Sequence, residues 1–184
     1  EKPLDILLNN AGIMNRQRTE TVDGLEEVFS VNHLAYFTLS LMLSEKLRQT
    51  ENSRIINVAS GAHQFVKDMN FDDLQSEKTF KPLQVYGQSK LANILFTKSL
   101  SEKLLNSGVT VNCLHPGFVS TGIGSNNKGI WNLLMFLAKP LAKKSNKGAE
   151  TSIYLCASPA VKNISGEYFV DCSIEKISDA AKDS

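Results

Sequence analysis

The sequence holds only three cysteines, Cys113, Cys156 and Cys172. They are widely spaced, odd in number and include no CxxC pair, which excludes a disulfide framework and a zinc site and leads us to expect buried thiols in a reducing, intracellular compartment. No histidine, cysteine or carboxylate spacing suggests another metal. Long apolar runs are missing too: nothing reaches the roughly 18 consecutive apolar residues that a membrane-spanning helix needs. We expect no signal peptide among these residues, and the chain opens at Glu1 rather than at methionine. Nor is there an excess of charge of one sign. With 20 Lys and Arg against 19 Asp and Glu, the net charge of +1 offers no field to gather nucleic acid. A small molecule is the expected partner. The glycine-rich dinucleotide fingerprint is also missing, since Gly122-Ile123-Gly124 has Asn127 where a third glycine should stand.

What is present reads as one α/β unit. A chain of 184 residues, 42% hydrophobic and 21% charged, has enough apolar material for one core. Leu4 to Leu8 is a nearly continuous apolar run, as expected of a strand buried on both faces, and it runs into the turn-forming Asn9-Asn10-Ala11-Gly12. From Gly24 to Leu47 the apolar residues recur at helical spacing, with Asn32 and His33 in the middle. A strand over Arg54 to Ser60, a long helix from Leu83 to Asn106 and a strand over Val109 to Leu114 follow. This alternation predicts a Rossmann-like, doubly wound parallel sheet, with ligands bound beyond the carboxyl ends of its strands. Those ends carry Asn9 to Gly12, Ser60-Gly61 and His115-Pro116-Gly117. Tyr86 and Lys90 stand at i and i+4, on one helix face.

Taken in order, these residues resemble the short-chain dehydrogenase/reductase family over essentially the whole chain. Asn9 to Gly12 match its NNAG segment, Asn32 its helix asparagine, Ser60 its strand-end serine, Tyr86 and Lys90 its YxxxK pair, and Pro116 to Thr121 its PGxVxT loop. Asn57 to His63, Asp73 to Glu77, Ser89 to Asn93 and Tyr168 to Cys172 resemble its retinol-dehydrogenase-like branch, as does the 26-position step from Ser60 to Tyr86. The resemblance implies a single catalytic domain over residues 1–184, truncated at its N-terminal, diphosphate-binding side. It further implies an NAD(P)-dependent oxidoreductase that interconverts an alcohol and its aldehyde or ketone, with NADP(H) favoured and NAD(H) possible. A retinoid, steroid or long-chain aldehyde is the expected substrate type. The implied setting is the cytoplasm or the cytosolic face of an internal membrane, with peripheral membrane contact and, at full length, a homodimer. The alternative is a truncated, inactive product that acts only by pairing with a full-length subunit.

The chemistry places each residue. Carbonyl reduction needs a proton delivered to oxygen as hydride reaches carbon, and Tyr86 is the acid/base. A free phenol titrates near 10, so work near neutrality asks for about 4 kcal/mol of preferential phenolate stabilisation, which the Lys90 cation is placed to supply. By resemblance, Ser60 holds the substrate oxygen, and Asn32 holds a water that links Lys90 to solvent. Asn10, Ala11, Gly12, Tyr86, Lys90, Pro116, Gly117, Val119 and Thr121 are the expected cofactor contacts. His33 and His63 have no partner acid and read as structural or solvent-facing. The apolar run Ile130 to Ala138, followed by Lys139, Lys143 and Lys144, is expected either to pack on the body or to form a lid over a lipophilic substrate.

Much of a dinucleotide's affinity comes from a diphosphate at a helix N-terminus, and no such fingerprint is present. Residues 1–184 expressed alone are therefore expected to bind neither NAD nor NADP, and titration calorimetry against both cofactors checks this. Micromolar binding would overturn it.

Overall fold

The computed structural model describes residues 2–117 and 145–182. Four strands, β1 (Ile6–Asn9), β2 (Arg54–Val58), β3 (Thr110–His115) and β4 (Tyr168–Val170), pair in parallel in that order. A short β5 (Ser173–Ile174) closes the far edge antiparallel to β4. Between them, Asp171 and Cys172 have φ of 48° and 64°, the double left-handed turn whose twist suits a two-residue hairpin.

Helices cover both faces. The first begins as α1 (Glu27–Phe29), passes through a π-helical segment (Ser30–Leu34) and continues as α2 (Ala35–Arg48). Then come α3 (Pro82–Lys103) and α4 (Ser145–Ala157). Leu47 of α2 and Leu100 of α3 pack with Ile55 and Val111 on one sheet face, while Leu155 of α4 packs with Ile56, Val58, Leu114 and Phe169 on the other. This double coverage is why β2 and β3 are apolar at consecutive positions. Among the described residues no helix is long and apolar enough to cross a membrane.

Three expectations need correction. β1 is not buried on both faces: side chains alternate along a strand, so Leu7 joins the core under α2 and α3 while Ile6 and Leu8, at the sheet edge, are each 39% exposed. The first long helix is not uniformly α-helical. The amide of Ala35 reaches back five residues to the carbonyl of Ser30, giving one widened turn around Asn32 and His33. Finally, only Cys113 is buried, its thiol pushed up to about 12 by that burial, whereas Cys156 and Cys172 are half-buried.

The helix start and the segment between Ser60 and Tyr86 hold each other. Glu26 is wholly buried, and its carboxylate accepts from the amides of Val28 (2.9 Å) and Phe29 (2.6 Å). Burial raises its pKa, partly offset by those bonds. The amide of Glu26 in turn donates to Gln75 Oε1 (2.7 Å), and Arg18 Nε donates to the Gln75 carbonyl (2.9 Å).

Gly87 sits where α3 meets the turn Gly61–Phe65. A Cβ there would lie 2.8 Å from the Ala62 carbonyl oxygen and 3.1 Å from Val66 Cγ1. Gly87→Ala should therefore destabilise the fold by about 1–3 kcal/mol through overpacking, despite alanine's better helix propensity. Chemical denaturation measures this, and an unchanged or raised midpoint would show that the turn yields freely.

Candidate active site

Parallel register aligns the three strand ends: Asn9 lies beside Asn57, and Val58 beside Leu114. The Asn10–Gly12 loop, the Ala59–Gly61 turn and Pro116-Gly117 therefore emerge on one edge, as the sequence led us to expect. Gly117 has φ of +81°, a conformation that glycine adopts without strain. Val119, Thr121 and the Ile130–Ala138 run lie outside the described residues.

On this edge Ser60, Tyr86 and Lys90 come together. The Ser60 hydroxyl stands close enough to the Tyr86 phenol to ease its ionisation. It also accepts from the Ala62 amide (3.2 Å), which caps the turn Gly61–Phe65. Lys90 Nζ lies 5.7 Å from the centre of the Tyr86 ring and 5.6 Å from that of Tyr36, and it donates to the Val58 carbonyl (2.9 Å). Both titratable groups bear the cost of burial. The Lys90 ammonium is pulled down to about 8, and the Tyr86 phenol is pushed above its ordinary value, with the Ser60 hydroxyl opposing the rise. The sequence led us to expect a phenol lowered by Lys90. In the protein alone burial dominates at both groups, and Ser60 rather than Lys90 is what opposes the rise at Tyr86.

Asn32 is engaged on every side. Its Oδ1 accepts from the Ile13 amide (2.8 Å), and its Nδ2 donates to the Ile13 carbonyl (2.9 Å) and to Ser89 Oγ (3.0 Å). Its main-chain carbonyl accepts from Asn93 Nδ2 (2.8 Å). Its side chain thus clamps the loop after β1 to the widened turn and to α3.

Several residues of this site escaped sequence reading. Tyr36 donates its hydroxyl to the Ala11 carbonyl (2.7 Å) and so holds the Asn10–Gly12 loop; its phenol is pushed up, chiefly by burial. The only available signal was its place one helical turn beyond Asn32. Asn93 Oδ1 bonds His33 Nδ1 (3.0 Å). Asn9 Nδ2 donates to Ser40 Oγ (3.0 Å) and to Asn57 Oδ1 (2.8 Å), and Asn57 Nδ2 donates to Thr97 Oγ1 (2.9 Å). His63 is wholly buried rather than solvent-facing.

The arrangement suits a nicotinamide ribose. Asn10 and Ala11 are exposed, Gly12 is half-buried, and a Cβ on Gly12 would lie 3.5 Å from both Asn32 Oδ1 and Lys90 Nζ. Bare backbone therefore faces a buried ammonium that has donors to spare. A separate cavity of 520 Å³ lies behind the first turns of α3, lined by residues including Phe29, Val66, Met69, Leu74, Val85 and Gln88. Ser60, Tyr86 and Lys90 do not line it.

Known proteins share this framework. The family model for short chain dehydrogenases matches residues 2–129. Human retinol dehydrogenase 14 is 43% identical over all of this chain, and mouse retinol dehydrogenase 12 is 40% identical over 99% of it. The chain spans 55% and 57% of their lengths. The crystal structure of an uncharacterised protein from Mycobacterium paratuberculosis superposes with a TM-score of 0.73 at 28% identity, covering 98% of this chain and 62% of that one. With the motif order, the sheet and the grouped serine, tyrosine and lysine all in agreement, the chain belongs to the short-chain dehydrogenase/reductase family and to its retinol-dehydrogenase-like branch.

Proposed function

We propose that the protein interconverts an alcohol and its aldehyde or ketone with a nicotinamide cofactor, NADP(H) ahead of NAD(H). The observation that carries this reading is the gathering of the Ser60 hydroxyl, the Tyr86 phenol and the Lys90 ammonium, which lies 5.7 Å from the phenol ring, at one edge of the sheet. A lipophilic substrate of the retinoid, steroid or long-chain aldehyde type is supported by the similarity to human retinol dehydrogenase 14.

In this reading Asn10, Ala11, Gly12, Lys90, Pro116 and Gly117, with Val119 and Thr121, hold the cofactor, which supplies or accepts the hydride. Ser60 donates to the substrate oxygen and keeps it beside Tyr86. Tyr86 gives its proton to that oxygen during reduction and takes it back during oxidation, and a buried phenol, reluctant to ionise, is ready in the protonated form that reduction needs. Lys90 then stabilises the phenolate that is left. Asn32 holds the water that links Lys90 to solvent. The exposed Phe37, Leu41 and Met42 of α2 support pairing of two subunits, which we propose accompanies the chemistry.

Tyr86→Phe in the whole protein should leave cofactor binding nearly intact and cut turnover by about two orders of magnitude or more. Steady-state kinetics on retinal with NADPH test this, and retention of a tenth of the wild-type rate would overturn the assignment.

The Lys90 ammonium gives a pH signature. Its charged form should bind the ribose, and it loses its proton near pH 8 in the protein alone. Affinity for NADPH should therefore be flat below that pH and fall above it by up to about tenfold per unit, because the complex holds a proton that the free site has lost. In Lys90→Met the affinity should be weaker throughout and lack this step. Fluorescence titration across the range reads both, and a step that survives in Lys90→Met would assign it elsewhere.

A further inference from the structure

His63 follows β2 on the turn Gly61–Phe65, and its ring is 0% exposed. Nδ1 lies 2.7 Å from the Ser60 carbonyl oxygen. A carbonyl can only accept, so Nδ1 carries the proton. Nε2 is then left with its lone pair, and it accepts from the main-chain amide of Ser178 at 3.3 Å. The two bonds select the same neutral tautomer, and burial, which pulls the imidazole below its ordinary pKa, favours the neutral ring as well. Tyr168 of β4 meets the ring edge-on, with centroids 5.3 Å apart and an interplanar angle of 71°. The imidazole is thus a fixed strut from the end of β2 to the segment after β5, braced on β4.

The carbonyl it grips belongs to the peptide after Ser60. That peptide is tightly placed on its other side as well, since a Cβ on Gly61 would come 3.3 Å from His115 Nε2. Ser60 is extended, with φ −164° and ψ 153°, and its hydroxyl meets both the Ala62 amide and the Tyr86 phenol. The same carbonyl accepts the His63 main-chain amide at 3.2 Å, so this residue holds the Ser60–Gly61 peptide at two points and with it the Ser60 Cα from which the hydroxyl projects. Without the imidazole only the longer main-chain bond is left, and a shift of that Cα would carry Oγ away from Tyr86.

We propose that His63 is a positioning residue for Ser60, acting through the Nδ1 bond to the Ser60 carbonyl; this rests on the role proposed for Ser60 above. The histidine touches neither substrate nor cofactor. It sets where the serine hydroxyl stands, and a displacement of about 1 Å at such a group costs on the order of a hundredfold in rate.

Two substitutions separate the two ends of the strut. The amide nitrogen of an asparagine falls near the place of Nδ1, so His63→Asn can still donate to Ser60 while giving up Ser178. The amide of a glutamine reaches toward the place of Nε2, so His63→Gln can accept from Ser178 while giving up Ser60. Both should lower thermal stability by similar amounts. Turnover of retinal with NADPH by the whole protein should fall about tenfold or more in His63→Gln and stay within about threefold in His63→Asn, with NADPH affinity unchanged in both. Equal turnover in the two variants, or wild-type turnover in His63→Gln, would overturn the proposal. So would failure of both to fold, which would assign the histidine to stability alone.

A second measurement requires no turnover. In NMR spectra of the isotope-labelled tyrosines, with Tyr86 assigned by its loss in Tyr86→Phe, the Tyr86 resonance in His63→Gln should move toward its position in Ser60→Ala. In His63→Asn it should stay at the wild-type position. The opposite pattern, or no movement in either, overturns the role of His63 even if the wild-type protein reduces no carbonyl, an outcome that would fault the proposed function instead.

Discussion

The site depends on one buried carboxamide. Asn93, with no exposed surface, donates from Nδ2 to the Asn32 carbonyl and offers Oδ1 to His33. A carbonyl engaged sideways is less available to the helical ladder, and the widened turn is where the helix accommodates this. The turn in turn aims the Asn32 side chain at Ile13, and one helical turn further on Tyr36 holds Ala11. From Asn93 the network runs through its own carbonyl to Thr97, then to Asn57, Asn9 and Ser40. Buried polar groups are costly unless satisfied, and a satisfied network admits few alternative packings. The loop that we propose lies against the cofactor is held from within the protein.

Burial at the same place sets the resting electrostatics. Lys90 and Tyr86 each move toward the neutral form. Such a pair responds strongly to added charge, because screening in a desolvated site is weak. A phenol poised high and an ammonium poised low are both far from indifferent to a ligand that brings charge between them.

The first three strands, the first long helix and α3 were legible in the sequence to within a few residues because β2, β3 and α3 carry the apolar patterns that coverage demands, whereas α4, β4 and β5 were not read. The pairing of Tyr86 and Lys90 was legible from helical spacing, and Ser60 joined them through its strand end and the family resemblance. β1 differed because Leu4 to Leu8 is apolar nearly throughout, while among the described residues only one face of the strand is covered, the one that carries Leu7. The widened turn could not be read at all: it depends on Asn93, which is 61 positions away in the chain, and buried amides follow no periodicity. His63 was passed over for the same reason. The absence of a nearby acid says nothing of a ring whose partners are main-chain groups from two other parts of the fold.

The mutual hold between Gln75 and the Glu26 helix start has a consequence for how the fold tolerates change. Gln75 ties the middle of the Val66–Lys81 excursion to the frame through main-chain groups at Arg18's contact and at Glu26, so the stretches on either side of it hang from a fixed rivet. Before Gln75 the excursion is also tied to α3, whose Gln88 accepts from the Asn70 amide and donates to the Asp68 carbonyl, so an insertion there would pull on the helix that carries Tyr86. The segment is built into the frame rather than appended to it.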